Sequence, residues 1–363
     1  MAEPRLRFED MDDQVSIWKR IKTTIANTYS LGVIAFGGPT VHVALFHNHF
    51  VENLKWISAE TFVELFAIAQ SLPGPASTQL LFSIVLITQG WIPAIICFIL
   101  WSLPGLIMMI GLAIGVSSLR QIPEWLYTIE NGLTSAAVGL IALAALNLSK
   151  KVNDGNLDNS LSLLAIIVAL NFSREPWLLP AIMAFGAVFR LMHGWFYKKE
   201  EITLPGSFGS ENEPLLAIHL TDDVRPDIST RNGLAIIIVW FTILLSFLLL
   251  NTPIKLLQVI KVFFIVGSVI FGGGPVVIPL LQSFVVTDQG WCTDAEFLIG
   301  LAIIQAMPGP MFNIAAFCGT LACRDRGIGG AIAGGIFGYL GIFVPGLLIK
   351  SGVLPCNLII KAE

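Results

Sequence analysis

The chain predicts an all-α polytopic membrane protein of two homologous halves with Gly/Pro-broken helices. Three observations predict it. Apolar residues make up 55% of the 363 positions and charged residues 13%, with a mean hydropathy of +0.78; a soluble domain carries about 25% charged residues. Apolar runs long enough to cross a bilayer, ~20 residues each, recur along the chain. One set of signals also occurs twice. Phe36-Gly37-Gly38-Pro39, Trp56, Phe62 and Gln70-Ser71-Leu72-Pro73-Gly74-Pro75 form the first copy. Phe271-Gly272-Gly273-Gly274-Pro275, Trp291, Phe297 and Gln305-Ala306-Met307-Pro308-Gly309-Pro310 form the second, 235 residues later from Gln70 to Gln305. Gly32 likewise finds Gly267, and Ala67-Ile68 finds Ala302-Ile303. A solenoid needs at least three short units. Two long apolar halves with matching helix breakers are the pattern of a transporter.

The elements follow in order. Residues 1–22 carry Glu3, Glu9, Asp10, Asp12, Asp13, Lys19, Arg20 and Lys22, too many charges for a cleavable signal peptide. They are expected to form a cytoplasmic N-terminal segment. Residues 23–197 form the first repeat, with spans at 23–46, 60–88, 91–118, 131–149 and 176–197. The run 159–172 is short, either a half-helix or a piece of the following span. Residues 198–232, with Lys198-Lys199-Glu200-Glu201, Glu211, Glu213, Asp222, Asp223 and Asp227, form a polar linker. Residues 233–363 form the second repeat, with spans at 233–251, 256–286, 296–322 and 328–350. After Pro345-Gly346, the echo of Pro104-Gly105, only 17 residues remain. Counterparts of 131–197 are missing, so this repeat is expected to be C-terminally truncated, and Cys356–Glu363 is not expected to add a span.

Composition narrows the function. A formal charge of −4 gives no basic balance for nucleic acid. Five cysteines without a CxxC spacing suggest neither a zinc site nor a disulfide framework. No HExxH, Walker loop or GxSxG occurs, so an enzyme is not expected.

Clustered Gly and Pro inside apolar runs have a physical consequence. Pro removes a backbone donor and blocks the helix bond behind it. Gly permits turns closed to other residues. The freed N–H and C=O groups cost several kcal/mol each in hydrocarbon unless they line a cavity or meet a ligand. A half-helix that starts after the break also presents its positive end. Breaks of this kind can bind an anion with few charged side chains; the plainer alternative is a set of kinks and close helix contacts.

Phe-Gly-Gly-Pro, then a Trp-x-Ser/Thr segment, then Ala-x-Gln-x-x-Pro-Gly-Pro resembles the chromate ion transporter family. The likeness covers about residues 32–118 and 267–350. It implies export of chromate from the cytoplasm, with sulfate, another tetrahedral dianion, as a related substrate. The motif positions it marks for substrate are Gly37, Gly38, Pro39, Gln70, Pro73, Gly74 and Pro75, with Gly272, Gly273, Gly274, Pro275, Gln305, Pro308, Gly309 and Pro310. Gln70 and Gln305 each precede a Pro by three residues and offer two N–H donors. Asn313 is a further donor candidate, and Thr78 takes its place in the first copy. The second copy departs from the pattern by its third glycine.

Other polar residues carry less. Glu64 is expected at the membrane interface, with Ile299 in its place in the second copy. His42 could titrate near neutrality, but His42, His47 and His49 do not share a helical face suited to a metal. Trp56, Trp91, Trp101, Trp177, Trp195 and Trp291 read as interfacial anchors. Basic residues before the first span place the N-terminus in the cytoplasm; six spans in the first half make the copies inverted, a single crossing by 159–197 makes them parallel, and the likeness implies antiparallel halves. The expected activity is secondary active export of chromate across the plasma membrane, with sulfate as a related oxyanion. The alternative is a truncated, non-transporting scaffold or regulatory partner, or an anion channel. No cofactor is called for, the partners are the oxyanion and the lipid bilayer, and a homodimer is left open.

Overall fold

A computed structural model describes residues 17–118, 128, 132, 135, 139, 156–171, 181–182, 185–186, 188–189, 192, 230–270, 278 and 280–360. Gly272, Gly273, Gly274 and Pro275 lie outside the described residues, as do most of the expected spans 131–149 and 176–197 and nearly all of the linker 198–232. The described residues are helical, with no strand among them.

The first half opens with α1 (Ile17–Thr28) and a single turn, α2 (Leu31–Ile34). Gly37 and Gly38 take positive φ, 96° and 78°, and α3 (Gly38–Phe46) starts anew with proline in its first turn, where a missing N–H costs nothing. The expected span 23–46 is therefore three pieces. A π-helical stretch, His47–Asn53, leads to α4 (Ala59–Ser71), whose N-cap Ser58 accepts the Thr61 N–H at 3.1 Å. α5 (Ala76–Gln89) and α6 (Trp91–Ser118) follow, divided by Gly90 at φ 93°. The expected span 60–88 is broken at Leu72–Pro75.

Then come α7 (Asn156–Asn171), α8 (Thr230–Leu249) and α9 (Lys255–Val269). A second π-helical stretch, Ser283–Asp288, precedes α10 (Asp294–Ala306). Thr293 and Glu296 form a reciprocal capping box at its start. A 3₁₀ turn, Met311–Asn313, opens α11 (Ile314–Ala322), so the expected span 296–322 is also two pieces. After the 3₁₀ turn Arg324–Arg326 comes α12 (Gly327–Ile360). It does not stop at 350. Helix continues through Pro345 and Pro355 to Ile360, so most of the tail from Cys356 is helical, while the apolar stretch long enough to cross a membrane is Arg324–Pro355. Apolar surroundings offer a freed backbone group no water, which favours keeping the remaining helix bonds over unwinding.

Among the described residues three helical stretches are long and apolar enough to cross a membrane: Trp91–Ser118, Thr230–Leu249 and Arg324–Pro355. Their outward faces are hydrocarbon. Ile92, Ile95, Ile99, Leu103 and Ile107 form an exposed stripe on α6, and Leu234, Ile238, Phe241, Leu245 and Leu248 one on α8. Exposed apolar surface of this extent suits lipid, not water. Inside lie the short helices. Every residue of α5 from Ala76 to Leu86 is buried, and so is all of α11. Small residues bring α11 against α12: Gly319 meets the Gly334 backbone, and Gly338 meets the Ala315 carbonyl. At the rim, Arg324 pairs with Glu296 and the Lys255 ammonium lies 5.2 Å from the Trp291 ring centre.

Candidate functional site

The two copies of Pro-Gly-Pro sit at equivalent breaks. α4 and α10 both end in extended backbone, at Leu72 (φ −105°, ψ 152°) and Met307 (φ −99°, ψ 156°). Gly74 and Gly309 then take positive φ, 111° and 92°, a region that only glycine enters without strain. Each glycine donates its N–H across to the other half. Gly74 N–H bonds the Ile270 carbonyl at 2.7 Å, and Gly309 N–H bonds the Ala35 carbonyl at 3.0 Å. Gly74 and Gly309 are equivalent positions, and so are Ala35 and Ile270. The contact is reciprocal: each Pro-Gly-Pro loop closes on the segment just before the glycine cluster of the opposite half.

The long helices carry their own share of the crossing. A side chain on Gly74 would meet the Gly346 Cα at 2.9 Å, and one on Gly346 would meet Pro75 at 3.2 Å. A side chain on Gly105 would run into the Asn313 amide. Pro104-Gly105 of α6 thus receives the start of α11, while Pro345-Gly346 of α12 receives the start of α5. Glycine permits this closeness.

Polar side chains fill the junction. His42 Nε2 donates to the Ala35 carbonyl at 3.2 Å, the same oxygen that receives Gly309 N–H. That assigns the proton of the neutral ring to Nε2 and leaves Nδ1 to accept from the Ser77 hydroxyl at 3.5 Å. Trp101 stands edge-on to His42, ring centres 5.0 Å apart, and donates Nε1–H to Thr78 at 3.2 Å. Gln79 Nε2 donates to the Pro73 carbonyl at 2.6 Å, and Asn313 Nδ2 to the Ser102 carbonyl at 3.1 Å. Tyr339 donates to Ser102 Oγ, which passes its own proton to the Phe98 carbonyl at 2.6 Å. Gln79 Oε1 and Asn313 Oδ1 are buried without a partner. An orphaned buried acceptor costs roughly 1–3 kcal/mol, so both are unfavourable as they stand.

The sequence candidates fall in different settings. Pro73, Gly74, Pro75, Pro308, Gly309, Pro310 and Asn313 are buried at the crossing. Gly38 and Pro39 are half-buried and Gly37 is exposed. Gln70 lies on an exposed face of α4, and Gln305 is half-buried. Gln79, which lies beyond the repeated motif, occupies the junction instead. Trp101, read as an interfacial anchor, is fully buried at the centre, and Trp291 is buried as well. Glu64, expected at the interface, is buried on α4. Sequence reasoning also passed over Lys350, fully buried on α12, whose Nζ donates to the Leu65 carbonyl at 2.9 Å. Its signal was visible: one lysine inside an apolar run of more than thirty residues.

Both breaks fall inside segments that known proteins share. The family described as Chromate transporter matches residues 23–191 and 257–361. The chain belongs to the chromate transporter family. Among its relatives, the chromate transport protein of Cupriavidus metallidurans is 25% identical over 333 residues, covering 90% of this chain and 70% of the relative. The probable chromate transport protein of Synechococcus elongatus is 26% identical over 300 residues, covering 82% and 68%. The chromate transport protein of Pseudomonas aeruginosa is 26% identical over 322 residues, covering 88% and 69%. No solved structure matches the chain significantly. Family membership and the lipid-facing helices make the chain an integral membrane protein, and the named functions of its relatives are transport, not catalysis.

Proposed function

We propose that this protein moves chromate across the plasma membrane, outward from the cytoplasm, by secondary active transport, and that sulfate uses the same path. The observation that carries the proposal is the reciprocal crossing at Gly74 and Gly309. It joins two helix starts, those of α5 and α11, inside one buried junction. The first amides of a helix lack intrahelical acceptors, and the positive end of the helix dipole adds to them. Such ends suit an anion. Family membership supplies the identity of that anion.

In this reading the two halves are inverted copies that rock about the crossing, the arrangement that suits alternating access. Pro73, Gly74 and Pro75 with Pro308, Gly309 and Pro310 shape the site. Gly37, Gly38 and Pro39 form its approach, and the repeat assigns Gly272, Gly273, Gly274 and Pro275 to substrate by their equivalence in sequence. Gln70 and Gln305 donate to the oxyanion from the two sides, and Asn313 from within. Exposure of Gln70 and half-exposure of Gln305 fit side chains on the path by which a hydrated ion arrives.

Calorimetry on the purified protein tests this. Chromate binding should be displaced by sulfate and not by chloride at equal ionic strength, because size and charge set the fit. Gln70→Leu and Gln305→Leu should each weaken chromate binding by about ten- to a hundredfold, the loss of one hydrogen bond to a charged ligand at about 1.5–3 kcal/mol. Equal displacement by chloride would mean simple screening and would contradict the proposal.

A further inference from the structure

The proposed site as drawn from the repeated motif has neutral donors and no charge to meet a dianion. Lys350 changes that. Among the described residues it is the lysine or arginine that is buried, at 0% exposure. It follows Gly346 by four residues, so it shares that glycine's face of α12 about 6 Å further along the axis. Gly346 is the residue that touches Gly74, Pro75 and the Gln79 amide. Lys350 therefore stands one helical turn from the crossing, on the side that looks toward it. Its ammonium has three N–H donors. One goes to the Leu65 carbonyl, and no carboxylate among the described residues pairs with it. The neighbouring Glu64 has contacts of its own. An ammonium buried with so few partners is costly, and buried ionisable side chains in membrane proteins mark ion pathways. Met109 stands five residues after Pro104 as Lys350 stands five after Pro345. Both are fully buried, so the charge enters from one half only.

We propose that Lys350 is the cationic anchor of the oxyanion site, its two spare N–H donors meeting a tetrahedral dianion as the halves rock. This rests on the oxyanion reading given above. The ammonium partly neutralises the ligand in a low-dielectric interior, where charge-assisted hydrogen bonds are strongest. The carbonyl of Leu65 parks the side chain when no ion is bound.

The competing role is a structural tie between α12 and α4, and the two are separable. Lys350→Arg keeps the charge. Lys350→Gln keeps an N–H donor and loses the charge. Lys350→Met loses both. Chromate binding to purified protein should fall by about ten- to a hundredfold in the Gln and Met variants and by no more than about threefold in the Arg variant. Normal binding by Lys350→Gln would overturn the proposal. Should the neutral variants not insert, the wild-type protein decides. With ¹³C-labelled lysine, the Lys350 resonance, assigned by its loss in Lys350→Arg, should move on titration with sulfate. A resonance that stays still at saturating sulfate would overturn the anchor role. Absence of chromate binding in the wild type would remove the oxyanion reading itself, an outcome distinct from unchanged binding by Lys350→Gln.

Discussion

A protein carrying Pro73→Ala together with Gly74→Ala should reach the membrane and move no chromate. Two responses are open to the chain, and either one breaks the crossing. To keep the loop, alanine at 74 must hold φ near 111°, and a left-handed backbone costs an ordinary residue roughly 1–2 kcal/mol. Its Cβ would come within 2.9 Å of the Gly346 Cα and 2.8 Å of the Gln79 amide nitrogen, which forces the two halves apart. If the chain leaves that conformation instead, alanine at 73, with its backbone N–H restored, lets α4 run on toward α5. A continuous helix turns the N–H of residue 74 inward, ending the bond that Gly74 makes to the Ile270 carbonyl. Either response is small against the 5–15 kcal/mol that holds a fold together, but each falls on the one geometry that transport requires. The measurement is chromate movement in vesicles, with surface and membrane levels matched by immunoblot. Normal transport by a correctly inserted double variant would remove the broken helix from the mechanism.

The largest effect on stability should come from Gly319→Val. Gly319 lies against the Gly334 carbonyl, with the Gly338 Cα 3.3 Å from where its Cβ would be. These obstacles are backbone and cannot rotate away. Overpacking of this kind costs about 1–3 kcal/mol and at times more, and α11 is buried on every side, so the strain has no exit. At roughly 2–4 °C per kcal/mol, thermal unfolding in detergent should shift down by about 5–10 °C. Gly111→Val is the control, because nothing lies within 4 Å of a Cβ placed there. It should leave the midpoint near the wild-type value. An unchanged midpoint for Gly319→Val would mean that α11 and α12 are looser than their glycines require.

The parts of the fold legible in the sequence are those fixed by local chemistry. Pro-Gly-Pro stops a helix wherever it stands, so the ends of α4 and α10 at Ser71 and Ala306 could be foreseen to within a few residues. Composition likewise foretold an all-helical membrane protein. Isolated prolines do not stop these helices: the expected spans 91–118 and 328–350 run through Pro104 and Pro345, as the helices do, and only the continuation through Pro355 was not legible. Apolar surroundings favour keeping the bonds that remain. Gln79 and Trp101 were missed as junction residues for another reason. Their roles come from contacts with Pro73 and Thr78 across a turn and between helices, and nothing in their own neighbourhood announces them. Gln70, prominent in the repeat, lies on the exposed face. Repetition identifies the break, while the exposure of each side chain along it comes from packing that the repeat does not encode. The partners of the glycine N–H groups, Ile270 and Ala35, are apolar residues whose carbonyls no sequence pattern marks.

Chromate uptake into everted vesicles tests the central claim most directly. Vesicles from cells expressing the wild-type protein should accumulate chromate against its gradient. Accumulation should fall with excess sulfate, persist with chloride at the same ionic strength, and cease when the proton gradient and membrane potential are collapsed. Accumulation no greater than in vesicles lacking the protein would contradict transport. Uptake that only equilibrates chromate and ignores the gradients would show a channel in place of a coupled exporter.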